Sequence, residues 1–142
     1  MRFIPLLWVF LLCAPMHTVA AQSLQVQHLI SFPGRQNQYV DVKLSMPVSA
    51  DETELIMPSW TPGSYLIRDY AAQVERFQAS GAGGKPLEVH KVAKNRWRVA
   101  SSGEQMISVS YSVWAGELAP STSWVENDFA LLNGAGIFLY VE

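Results

Sequence analysis

From residue 24 onward, apolar and polar positions alternate over one short run after another. Leu24, Val26, His28, Ile30 and Phe32 take every second position of the first run. Val40, Val42, Leu44 and Met46 do so in the second, with Asp41, Lys43 and Ser45 between them. A period of two is the signature of a strand with one buried face. Pro33-Gly34 and Asn37 separate the two runs as turn residues, which predicts a hairpin. Thr53 to Met57 reads as a third strand, closed by Pro58. Leu87, Val89 and Lys91 resume the alternation, as do Trp97 and Val99, after a turn at Gly81 to Gly84. Met106 to Trp114 is the clearest strand, with Ile107, Val109, Tyr111 and Val113 on one face. Gly116 to Thr122 is a connection, Phe129 to Leu132 a short apolar run, and Ile137 to Val141 a strongly β-forming run at the end of the sequence. The expected fold is all-β, an antiparallel β-sandwich of about 7–9 short strands.

Tyr65 to Phe77 breaks the pattern. Leu66, Tyr70, Val74 and Phe77 fall at helical spacing. The Pro-Gly turn before them and the β-rich context favour a loop, followed by a strand from Val74 to about Ala79. The segment Pro58 to Tyr70 joins two prolines, a glycine, three aromatics and the pair Arg68-Asp69 in thirteen residues. Pro62-Gly63 is the strongest turn signal in the chain, because proline presets φ and glycine accepts the positive φ of a type II turn. Aromatics serve burial more often than recognition, so Trp60, Tyr65 and Tyr70 are first expected to fill one end of the sandwich core. Arg68 and Asp69 point to opposite sides of an extended chain. Either they fix the loop through hydrogen bonds, or the loop presents them to a partner domain or a substrate.

The N-terminus has a separate reading. Arg2, the apolar run Phe3 to Ala14 and the small residues Val19-Ala20-Ala21 form the three parts of a cleavable signal peptide, residues 1–21. That run is shorter than a spanning helix requires. Cys13 follows bulky Leu12, which argues against a lipoprotein site. Cleavage removes the single cysteine, so a periplasmic or secreted domain of about 121 residues would rely on its core and not on disulfides. It also removes one basic residue, leaving 9 basic against 12 acidic and a net charge near −3. That balance speaks against nucleic acid or an anionic membrane as partner.

Catalytic chemistry is hard to find. His28 and His90 lie far apart on strands, and there is no His-Glu-x-x-His helix, so no metal ligand is assigned. Ser64 lacks a nucleophile elbow, and Gly81-Ala82-Gly83-Gly84 lacks the Lys-Ser/Thr of a phosphate loop. Lys94, Arg96 and Arg98 are expected on one solvated strand face, balanced by Glu88.

The stretch Met57 to Tyr70 resembles the signature of the N-terminal β domain of the glycyl aminopeptidases (peptidase family M sixty-one). The resemblance continues through Val74 to Phe77, Lys94 to Trp97, Tyr111-Ser112-Val113 and Asn133-Gly134 to Glu142, nearly the whole of residues 22–142. It implies an exported zinc aminopeptidase whose N-terminal β domain precedes a thermolysin-like catalytic domain and a PDZ domain. No residue here matches a zinc ligand or the catalytic glutamate. The resemblance therefore implies a chain that is not catalytic alone and stops inside a larger protein, with zinc held in a catalytic domain beyond it. The unterminated β-forming run at the end of the sequence points the same way, since an open apolar edge invites aggregation. Trp60, Pro62, Gly63, Tyr65, Arg68, Asp69 and Tyr70 are then the candidate loop at a domain interface or substrate cleft. Its partners would be the downstream domains and a peptide substrate. The competing reading is a stand-alone carbohydrate- or protein-binding sandwich that uses Trp60, Trp97, Trp114 and Trp124 as stacking surfaces, although Trp97 and Trp114 suit core packing better.

Overall fold

The computed structural model describes residues 25–142, so the expected signal peptide lies outside the described residues. The alternating runs become strands. β1 (Gln27–Ser31) and β2 (Tyr39–Pro47) form the expected hairpin, β3 (Glu52–Ile56) follows, and β4 (Val74–Ser80) begins where the loop ends. Then come β5 (Pro86–Leu87), β6 (Val89–Ala93), β7 (Arg96–Ala100) and β8 (Met106–Trp114). β9 (Trp124–Val125), β10 (Ala130–Leu131), the short helix α1 (Gly134–Ile137) and β11 (Tyr140–Val141) complete the described residues. Seven strands have five residues or more, and β5, β9, β10 and β11 have two each.

All pairings are antiparallel. One sheet has the order β1-β2-β8-β4-β5, a second the order β11-β3-β7-β6, and β9 and β10 form a small ribbon. Val40, Val42, Leu44 and Met46 of β2 and Ile107, Val109, Tyr111 and Val113 of β8 are all buried in one core with Leu55, Met57, Trp97 and Val99 of the second sheet's strands and ends. The two sheets meet ring on ring. Phe77 of β4 stacks on Trp97 of β7 with centroids 5.0 Å apart and planes 3° from parallel. Tyr111, Ser101 and Thr53 are paired inside the core. Tyr111 Oη donates to the Ile137 carbonyl at 2.8 Å and accepts from Leu139 N–H at 3.3 Å. Burial pushes the Tyr111 hydroxyl pKa well up. Ser101 Oγ donates to the Ala50 carbonyl at 2.8 Å and bonds Thr53 Oγ1 at 2.9 Å.

Three expectations need correction. Ile137 closes a helical turn and is not in a strand, because the Asn133 side chain caps that turn by accepting from Ala135 N–H at 3.1 Å. Only Tyr140 and Val141 of the terminal run form a strand, paired with Ile56 and Leu55. Lys94 sits in the turn between β6 and β7, where Asn95 Nδ2 donates to the Met57 carbonyl at 2.8 Å. Arg96 and Arg98 do share a face, but their partner is Glu54. Arg98 Nη2 reaches it at 2.7 Å and Arg96 Nη1 at 3.3 Å, and Arg96 also bonds Glu142. Glu88 instead meets His90, at 3.0 Å.

Candidate functional site

The loop between β3 and β4 is a closed structure. Arg68 N–H donates to the Ser59 carbonyl at 2.6 Å and clamps its ends. Within the clamp, Ser64 N–H donates to the Thr61 carbonyl at 3.1 Å across Pro62-Gly63, and Gly63 takes φ +88°. This is the expected turn, and it needs glycine at that φ. Past the clamp, Tyr70 to Gln73 form one 3₁₀ turn that leads into β4.

The aromatic side chains do not all fill the core. Tyr70 does, at 8% exposed, and its ring lies so close to Gly136 that a Cβ there would stand 3.2 Å from Tyr70 Cδ1. Trp60 is 54% exposed and Tyr65 97%. Leu66 and Ile67 extend that exposed surface, at 65% and 79%. Burial at the end of the core therefore fails for Trp60 and Tyr65 and holds for Tyr70. Trp97 packs in the core, and Trp114 and Trp124 are half-buried.

Behind the exposed residues lies a cavity of about 320 Å³. Arg68, Asp69 and Tyr70 form the loop's share of its wall, and Trp114, Glu117 and Gly136 stand opposite in the chain. Leu66 and Ile67 reach its rim. Arg68 Nε and Tyr70 Oη are buried there with no hydrogen-bond partner. Burying a donor without an acceptor costs about 1–3 kcal/mol, so such groups are rare. Arg68 and Asp69 thus share a cavity without pairing with each other.

Of the seven expected loop residues, Arg68, Asp69 and Tyr70 converge on this cavity. Trp60, Pro62, Gly63 and Tyr65 form the ridge outside it. Glu117, Gly136, Leu66 and Ile67 were missed. For Leu66 and Ile67 a signal existed, since Tyr65-Leu66-Ile67 is an uninterrupted apolar run without alternation inside a loop. Glu117 and Gly136 arrive only through the tertiary fold. Among the described residues, no three His, Cys, Asp or Glu side chains gather so as to hold a metal ion. His28 Nε2 instead lies 3.3 Å from the Leu139 carbonyl, and its ring meets Phe138 edge-on.

Fold and site together define a class: an antiparallel β-sandwich that presents a clamped aromatic loop over a partly polar cavity. Within that class the sequence matches the Peptidase M61 N-terminal domain over residues 27–142, and the chain belongs to that family, the N-terminal domain of a group of peptidases. Among solved structures, it is similar to the aminopeptidase N family protein from Idiomarina loihiensis, with 30% sequence identity and a TM-score of 0.77. The likeness covers 83% of this chain and 20% of that one, so the chain spans about a fifth of the length of the structure it resembles. No curated protein matches the chain.

Proposed function

We propose that this chain is the non-catalytic N-terminal β domain of an exported zinc aminopeptidase, and that its 58–70 loop packs on and shapes the cleft of a catalytic domain. The observation that carries this reading is the inversion at residues 65–70, where apolar side chains face solvent and polar atoms are buried unpaired. A contiguous exposed apolar patch suits a protein contact. A rigid loop held by a sheet suits positioning, which contributes to catalysis without supplying the reacting groups. Zinc would reside in the catalytic domain, where it would serve to polarise a carbonyl and activate water. The described residues of this chain do not fit a zinc ion, so no step is assigned to it here.

An aminopeptidase assay tests this reading, run with and without added zinc on the 142-residue chain and on the longest polypeptide its gene encodes. Zinc-dependent activity only in the longer product is expected. Activity in the short chain would overturn it. Exposed Trp60 and Tyr65 favour a second reading, a stand-alone carbohydrate- or protein-binding module. Quenching of Trp60 fluorescence by an oligosaccharide, absent in Trp60→Ala, would support that alternative.

A further inference from the structure

The domain partners its other framework arginines. Arg76 Nε donates to Ser112 Oγ at 3.0 Å, while Arg96 and Arg98 are held by Glu54. Arg68 has no such partner. Its Nε is buried without an acceptor, and among the described residues no carboxylate stands within ion-pair distance of it. Arginine stays protonated wherever a fold survives, so this donor is a desolvated part of a permanent cation. The acceptor it fits best is an anion, because charge-assisted bonds are the strong ones. Tyr70 lines the same cavity, and its Oη is a second buried polar atom without a partner. Asp69 and Glu117 also line the cavity, but both residues are exposed, so water screens their repulsion of an incoming anion. At the mouth, Leu66 and Ile67 require apolar neighbours around that charge.

We propose that the cavity is a socket for an aspartate or glutamate side chain carried on an apolar patch of the same polypeptide outside these 142 residues, with the guanidinium of Arg68, which lines it, as the cationic partner. The proposal rests on the reading of this chain as one domain of a larger peptidase. The occupant's source follows from length, since the chain accounts for 20% of the solved structure it resembles. It assigns the docking contact a chemistry, one buried anion ringed by aliphatic groups.

The test uses the longest polypeptide that the gene encodes, carrying Arg68→Lys. A carbodiimide then couples the introduced amine to any carboxylate in contact with it, and mass spectrometry maps the link. In parallel, hydroxyl-radical labelling of Tyr65, Leu66 and Ile67 in the unaltered polypeptide reports whether the lip is covered. The expected result is a covered lip and one intramolecular link from position 68 to an Asp or Glu beyond Glu142. Hydrogen exchange at residues 65–70 should then quicken roughly tenfold or more in Arg68→Met, the loss of a hydrogen bond to a charged group. A covered lip with no link, or with links only to Asp69 or Glu117, would overturn the carboxylate socket and leave domain docking standing. A link between two copies would overturn it in favour of self-association. A freely labelled lip would remove the docking reading and this proposal together.

Discussion

The sandwich core and the 58–70 loop obey opposite rules. Between the sheet strands, apolar side chains are buried, and the buried polar groups of Tyr111, Thr53 and Ser101 are paired. In the loop, Tyr65, Leu66 and Ile67 face solvent, while Arg68 Nε and the Tyr70 hydroxyl are buried without partners. The backbone is ordered in both places, by ladder bonds in one and by the Ser59–Arg68 clamp and Pro-Gly turn in the other. The loop is therefore not a loosely packed part of the core. It is an ordered surface that the described residues leave uncovered. Local order and local satisfaction are separable, and the proposed docking contact rests on a segment with the first but not the second.

The largest effect that sharpens this contrast is a pair of truncations. Leu44→Ala should cost about 2–5 kcal/mol, since it empties a fully buried site between the sheets. Ile67→Ala should stay within about 0.5 kcal/mol, since its side chain contributes little to this fold. Urea denaturation of the 142-residue chain checks both. Equal losses would erase the distinction between the two regions.

Next comes one chemical change made in both places. Tyr111→Phe strips the Ile137 carbonyl and Leu139 N–H of their partner and should cost about 1–3 kcal/mol. Tyr70→Phe removes a hydroxyl that bonds nothing within the domain, so it should leave stability unchanged or raise it. Melting temperatures of the two variants give the sign directly. A destabilised Tyr70→Phe would mean that its hydroxyl is satisfied inside the domain.

The same contrast explains what could be read in advance. β2 and β8 were legible because a half-buried strand writes its faces into the sequence at period two, and Val40 to Met46 and Ile107 to Val113 follow that rule. The turn at Pro62-Gly63 was legible because its φ demand is local. Which aromatics would be buried was not, because burial depends on what packs against them. Trp60 and Tyr65 have the composition of core residues and are exposed. Ile137 misled for a related reason. Its β-branched run favours a strand, but Asn133 four residues earlier caps a helical turn, and the cap prevailed. Lys94 likewise fits an alternating strand until Asn95 bonds the Met57 carbonyl and fixes a turn.

A third substitution tests whether the loop's rigidity depends on its turn. Gly63→Ala meets no neighbouring atom within 4 Å, so its cost is purely the positive φ of +88°. That strain is about 1–2 kcal/mol, paid either in stability or by opening the turn. Proteolysis near residues 61–64 distinguishes the outcomes. Faster cleavage with an unchanged melting temperature places the strain in the loop alone, as expected of a segment that the core does not need.

The smallest effect contrasts paired and unpaired charge. Arg98, then Arg96, holds the Glu54 carboxyl below the ordinary glutamate range. A carboxylate with a depressed folded pKa binds fewer protons in the native state than in the unfolded one. Its contribution is thus complete above the ordinary glutamate value and fades as pH falls through the lower, folded value. The denaturation midpoint should drop over that acidic window, and by less in Glu54→Gln. Arg68 has no carboxylate partner among the described residues, so Arg68→Met should leave the shape of the same profile unaltered. If instead Arg68→Met flattened the acid limb, a carboxylate within this chain would already be neutralising that guanidinium. The loop would then be satisfied like the core, and the difference between the two regions would reduce to exposure alone.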